Sequence, residues 1–173
     1  MDDHPVWQAY DLLRTTRMNA GYYSAKSDSA KIRTRVYEIV LAIVAPGSAV
    51  AVLTFWNEPH GSAVWGVLAT IASLMAVAKP FLKMEEQLQS YQSCATEFRS
   101  LASELEALRS EIAEDEDYGE RHREWLRHIR NRATRLADIE PVETIDETLR
   151  SRMFERVSKE IPADSLFVPE DNL

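Results

Sequence analysis

Histidine and cysteine are the side chains that most often bind metals or act as nucleophiles, and this chain has four histidines and one cysteine. His122 and His128 are six residues apart, which does not match the i,i+4 spacing of a helical pair of metal ligands. Cys94 has no basic neighbour in the sequence that would activate its thiol, so we interpret it as a small core residue. No HExxH, glycine-rich phosphate loop or GxSxG motif is present. The sequence therefore predicts no catalytic, metal or cofactor site and no enzymatic activity.

Acidic side chains outnumber basic ones, with 28 Asp and Glu against 20 Lys and Arg, and the formal net charge is -8. This balance argues against generic nucleic-acid binding. Residues 120–139 nevertheless contain Arg121, Arg123, Arg127, Arg130, Arg132 and Arg135. These arginines point to all sides of a predicted helix, and the preceding segment, residues 83–117, is strongly acidic. We therefore expect the two segments to pair as an antiparallel hairpin, rather than to form a surface for nucleic acid or anionic lipid.

Two apolar runs, residues 39–56 and 61–78, contain no charged side chain. Each has about 18 residues, close to the length of about 20 that a transmembrane helix needs. Pro59 and Gly61 are turn formers in the short polar stretch between the runs. The runs predict a transmembrane hairpin over residues 36–82. The alternative is a helical hairpin buried in a soluble bundle, but the flanking segments are too highly charged to cover one.

The distribution of Lys and Arg around the two runs predicts the orientation of the hairpin. Basic residues precede the first run and follow the second, whereas the turn at residues 57–61 has none. The positive-inside rule then places both termini in the cytoplasm and the turn outside an inner membrane. Trp56 and Trp65 lie at or near the turn, where an interfacial aromatic belt is expected.

Small and weakly polar residues recur at helical spacing in the second run. The candidate pore or packing residues are Ser62, Gly66, Ala69, Thr70, Ser73 and Ala76. Small faces allow close helix approach in lipid, either within one hairpin or between protomers that share a polar lumen. In the first run, Pro46 and Gly47 form a candidate hinge, because proline removes a backbone hydrogen bond and kinks a helix.

The remaining segments also have helical periodicity. Residues 1–35 predict an amphipathic helix, whose Trp7, Tyr22 and Tyr23 lie either on the membrane surface or against the helix that follows the hairpin. Residues 83–117 carry a coiled-coil-like seam, a candidate assembly surface formed by Leu88, Tyr91, Phe98, Leu105 and Ile112. Two further helices are predicted at about residues 120–139 and 144–160.

The predicted fold is therefore all-α, with an N-terminal amphipathic helix, a transmembrane hairpin and a C-terminal cytoplasmic helical hairpin or coiled coil. Its predicted segments are residues 1–35, 36–82 and 83–160, followed by an extended tail at 161–173.

The plan of most of the chain resembles the SLATT family of bacterial two-helix membrane effectors. The resemblance lies in a helix that ends in an aromatic pair, "NAGYYSAKS", and in a basic approach, "KIRTRVYEI", to two apolar runs. A long charged helix, "KMEEQLQSYQSCATEFRSLASEL", follows the runs. The third helix and the arginine-rich segment go beyond the match. The resemblance implies a homo-oligomeric effector that permeabilises the inner membrane in antiphage defence, together with a nucleotide-signalling or sensor partner.

Two classes of function follow from the sequence. The small, weakly polar faces of both runs favour an effector that forms a pore in the lipid bilayer. The absence of a charged residue inside either run favours a non-conducting anchor that tethers a partner protein to the membrane.

Overall fold

The computed structural model describes residues 4–44, 66–67, 70–71, 73–75, 77, 83–138, 140–141 and 144–169. Four helices have defined bounds: α1 (Val6–Val44), α2 (Met84–Asp115), α3 (Glu120–Ala137) and α4 (Glu147–Glu160). A short 3-10 helix follows at Ala163–Ser165. The described residues between 66 and 77 are also helical, and no strand occurs in any described segment. The predicted all-α class is confirmed.

The ends of α2 and α4 have identifiable local causes. α2 ends at Asp115, and the next residue, Glu116, has a φ of 51°, the left-handed conformation that commonly ends a helix. α4 begins after Asp146, whose side chain accepts a hydrogen bond from the Leu149 amide at 3.0 Å. Such an N-cap satisfies one of the amides that the first turn of a helix leaves free.

The chain divides into two compact units, and the division falls within α1 and α2. The first unit, Met1–Ser27 with Ser90–Leu173, is called the bundle below, and the second, Asp28–Gln89, is called the apolar unit. These units do not follow the four predicted segments, because the start of the N-terminal helix belongs to the same unit as the C-terminal helices. α1 also runs nine residues past the predicted boundary at residue 35, to Val44.

The core of the bundle is formed by apolar residues of all its long helices. Its largest fully buried side chains include Tyr10, Leu13, Leu101, Leu105, Leu108, Ile112 and Ile129. On α1, Gly21 permits close packing, because a methyl group in its place would lie 3.0 Å from the Met153 sulfur of α4. Burial of this apolar surface is the main favourable term in the stability of the unit.

The aromatic residues of α1 pack against α2. The ring of Tyr23 stacks on that of Phe98, with centroids 5.7 Å apart and planes 3° apart, and also stacks on Tyr91 at 6.4 Å. Tyr22 lies at right angles to Tyr23 and its hydroxyl accepts a hydrogen bond from the Asp146 amide. Of the two locations that the sequence left open for these tyrosines, the structure shows the protein interior.

Ion pairs join α2 and α3 in antiparallel order. Arg132 pairs with Glu104 and lies 3.6 Å from Glu97, whereas Arg121, nearer the start of α3, pairs with Glu111. The predicted pairing of the acidic and arginine-rich segments is confirmed. Arg132 is half-buried, so its charge is screened less by solvent than that of a fully exposed arginine.

The segment after α4 is held against α1 by two polar contacts to its backbone. The Arg14 guanidinium donates to the Ile161 carbonyl at 2.8 and 3.1 Å, and the Tyr10 hydroxyl donates to the Phe167 carbonyl at 2.5 Å. Leu166 is buried. The predicted extended tail is therefore interrupted by the 3-10 helix and fixed to the bundle.

Candidate membrane-facing surface

Within the apolar unit, the described residues expose a series of large aliphatic side chains. Seven of them are between 46% and 67% exposed: Ile32, Val36, Ile39, Val67, Ile71, Leu74 and Val77. Ile32, Val36 and Ile39 follow an i, i+4, i+7 pattern on α1, and Val67, Ile71 and Leu74 repeat it, so each set lies on one helical face. Large exposed aliphatic side chains that share a helical face are typical of contact with another protein or with a membrane.

Three of the six candidate pore or packing residues lie in the described part of the chain, and all three are exposed: Gly66, Thr70 and Ser73. A methyl group placed on Gly66 would meet no described atom within 4 Å, so this face is open to an approaching helix. The Thr70 hydroxyl donates to the Gly66 carbonyl of the preceding turn at 2.8 Å. Because its own helix satisfies this hydroxyl, Thr70 does not require a water-filled lumen.

Ser62, Ala69 and Ala76 lie outside the described residues, as do the candidate hinge residues Pro46 and Gly47. Much of both apolar runs is also outside them. No helix within the described residues is both long and apolar enough to cross a membrane.

Polar contacts lie beside the aliphatic faces of the apolar unit. The Tyr37 hydroxyl donates to the Met75 carbonyl, which ties α1 to the helical residues of the second run. Arg33 donates to the Gln87 side chain at 3.1 Å, and Lys83 pairs with Glu86 at 3.3 Å. Arg33 thus lies on α1, and Lys83 immediately precedes α2.

Four of the five residues of the candidate assembly seam of α2 pack inside the bundle rather than on its surface. Tyr91, Phe98, Leu105 and Ile112 are each buried to 95% or more by the same chain, and Leu88 is half-buried. A heptad pattern does not distinguish a helix of the same chain from one of another chain. We therefore assign these four residues to the core.

A polar site lies in the bundle. Tyr23 and Glu140 border a cavity of about 320 Å³ that is also lined by Tyr22 and Arg150. Burial raises the pKa of Glu140, against the lowering effects of a hydrogen bond from Tyr23 and the charge of Arg150. Burial and the nearby Glu140 also raise the pKa of Tyr23. Cys94 is buried, as predicted, and burial raises the pKa of its thiol.

Sequence reasoning missed both Glu140 and a cluster of Glu111, Asp115 and His122 at the turn between α2 and α3. The i,i+4 spacing of Glu111 and Asp115 was the available signal for the cluster, but the third member belongs to the next helix. No local signal in the sequence places Glu140 beside Tyr23, because 117 residues separate them.

Comparison of the chain with family models, with curated proteins and with solved structures gives no match.

Proposed function

We propose that the protein is a membrane effector that inserts the hairpin of residues 36–82 into the inner membrane, assembles into oligomers and permeabilises the bilayer. The observation that carries the proposal is the pair of exposed aliphatic faces of the apolar unit. Side chains such as Leu74 and Val77, which are 66% and 67% exposed, are unfavourable in water and favourable in lipid.

The contrast between the two units supports this reading. The bundle buries most of its large apolar side chains and exposes Ile145, Phe154 and Phe167, whereas the apolar unit leaves seven large aliphatic side chains on its surface. The basic residues that flank the hairpin favour a cytoplasmic location for both termini. The step from insertion to permeabilisation rests on the open face at Gly66 and on the resemblance to the SLATT family, whose partners are nucleotide-signalling or sensor proteins.

Insertion is tested by cysteine labelling in intact cells on a Cys94→Ser background. A cysteine introduced by His60→Cys should react with a membrane-impermeant maleimide, and one introduced by Ser110→Cys should react only after lysis. The opposite pattern would reverse the orientation, and complete extraction of the protein by alkaline carbonate would refute insertion.

Permeabilisation is tested with the purified protein in vesicles loaded with a fluorescent dye. The wild-type chain should release the dye, and Gly66→Leu should release much less, because a bulky side chain blocks the close approach of helices. Val67→Leu is the matched control, since it changes a neighbouring exposed residue and keeps its apolar character. Equal release by both variants would exclude Gly66 as a packing residue.

A non-conducting anchor is the second candidate, and the geometry of Thr70 favours it. A hydroxyl that is satisfied by its own helix can face lipid as readily as water, so the second run does not need a lumen. An anchor should insert in the orientation described above but should release no dye from vesicles. In cells challenged by phage, a membrane-potential dye should then report no depolarisation.

A further inference from the structure

The turn between α2 and α3 brings together three side chains of types that bind metal ions. Glu111 and Asp115 lie on the last turns of α2, and His122 lies on the first turn of α3. One ligand atom from each residue lies within 4.8 Å of the other two. Because Glu111 and Asp115 are four residues apart, they lie on one face of α2, toward which His122 is directed.

The His122 side chain has an unused nitrogen aimed at these carboxylates. The residue is 3% exposed, and its buried Nε2 atom makes no hydrogen bond. Nε2 lies 3.3 Å from Oδ2 of Asp115, but off the direction that a hydrogen bond requires. Two ligands of one tetrahedral zinc ion are about 3.3 Å apart, since each lies about 2.0–2.1 Å from the metal. The separation therefore suits two ligands of a shared ion.

The imidazole ring is held in this orientation before any ion arrives. The buried Tyr118 ring stacks on it, with centroids 6.2 Å apart and planes 10° apart. Its Nδ1 atom accepts a hydrogen bond from the Gly119 amide at 3.2 Å. Coordination through Nε2 places the ring proton on Nδ1, so this hydrogen bond is lost. Gly119 is partly exposed, so water can satisfy its amide, whereas the new Nδ1 proton lies on a ring that is only 3% exposed; the change lowers the affinity by about tenfold to a hundredfold.

The charges around the cluster favour a cation. Glu111 already pairs with the Arg121 guanidinium, whose side chain is 75% exposed and can move into solvent when a metal takes its place. Acidic neighbours in sequence outnumber basic ones: Glu114, Glu116, Asp117 and Glu120 against Arg121 and Arg123. Such a surface raises the local concentration of cations.

We propose that Glu111, Asp115 and His122 form a binding site for a divalent transition-metal ion, with Zn²⁺ as the best fit. One imidazole nitrogen and two carboxylate oxygens suit Zn²⁺ or Co²⁺, whereas Mg²⁺ and Ca²⁺ prefer six or more oxygen ligands. Three protein ligands leave a fourth position for water. The ion links the end of α2 to the start of α3, so it stabilises the bundle by an amount that grows with the logarithm of the free metal concentration above Kd.

The test uses the full-length protein in detergent, without a histidine tag and stripped of metal. Titration with Co²⁺ should give the visible absorption of a tetrahedral site at one ion per chain, and Zn²⁺ should displace it. Calorimetry should give a micromolar Kd for Zn²⁺, and saturation should raise the midpoint of thermal unfolding. Absence of a stoichiometric site in the wild-type protein would overturn the proposal.

Variants separate the cluster from adventitious binding to surface carboxylates. Asp115→Asn removes a ligand from an exposed position, so the fold should persist while Zn²⁺ affinity falls at least tenfold. Glu114→Gln, one residue away and outside the cluster, should bind Zn²⁺ as the wild type does. His122→Gln should abolish the Co²⁺ absorption. If this change at a buried position prevents folding, the comparison of Asp115→Asn with Glu114→Gln still tests whether the site exists. Equal affinities of Asp115→Asn and Glu114→Gln would refute the site.

Discussion

Glu140 illustrates how the environment of a single residue controls its ionisation. Its carboxyl group is partly buried beside Tyr23, and burial raises its pKa more than Tyr23 and Arg150 lower it. Relative to the unfolded chain, folding therefore shifts the ionisation equilibrium of Glu140 toward the neutral carboxyl group. A group of this kind makes stability depend on pH, because the unfolded chain ionises it at the ordinary value of 4.5.

Stability should fall as the pH rises through the range in which Glu140 ionises. Well below pH 4.5 the group is neutral in both states, and above its raised pKa the folded protein holds a charge that is costly to bury. Glu140→Gln keeps an acceptor for the Tyr23 hydroxyl but cannot ionise. The thermal midpoint of the wild type should therefore decrease relative to that of this variant as the pH rises. Glu147→Gln, at an exposed position on α4, is the control, and identical pH profiles for the wild type and Glu140→Gln would contradict the assignment.

At the scale of helices, the sequence predicts much of the structure because local signals coincide. The predicted segments 83–117 and 120–139 match α2 and α3 within two residues at each end. The predicted start of α4 at residue 144 is three residues early, since the capping side chain of Asp146 begins the helix at Glu147. The length of α1 was missed, because the change from polar to apolar residues near position 36 alters its surroundings but not the helical conformation of its backbone.

The location of the α2 seam could not be predicted, since the same periodic pattern serves a core or an interface. The structure makes it a core, so Leu105→Ala should destabilise the bundle by about 2–5 kcal/mol through lost burial and a cavity. Ser103→Ala, at an exposed position on the same helix, should change stability by less than about 0.5 kcal/mol. Circular dichroism melting reports stability, and light scattering in detergent reports assembly. If Leu105→Ala forms a smaller oligomer and its melting curve is unchanged, Leu105 belongs to an interface between chains and the core assignment is wrong.

At the scale of the whole molecule, apolar residues are distributed differently in the two units. The bundle has a core formed by residues of α1, α2, α3 and α4. Its first chain segment ends at Ser27 and its second begins at Ser90. These two ends are close in sequence to Tyr23 and Tyr91, whose rings stack on each other. The composition of the sequence indicated this segregation, but not that the first 27 residues complete the C-terminal bundle.

Excision of residues 28–89, with a short Gly-Ser linker between Ser27 and Ser90, should therefore give a helical protein that is soluble without detergent and unfolds cooperatively. Far-UV circular dichroism and analytical ultracentrifugation measure these properties. The matched control joins the same ends and also carries Leu108→Ala, which should lower the melting temperature. Aggregation of the excised protein, or a gradual melt without a transition, would show that the bundle depends on the apolar unit.

The contacts between α1 and the end of the chain constrain the order of events during synthesis. The Tyr10 hydroxyl binds a carbonyl 157 residues later, and Arg14 binds one 147 residues later. A chain growing on the ribosome cannot complete the bundle until these carbonyls exist, by which time the apolar unit has been made. At about 5–20 residues per second, translation from residue 89 to residue 167 takes about 4–16 s. The proposed insertion of the apolar segment can therefore take place throughout this interval, while the amino-terminal half of α1 still lacks its final partners.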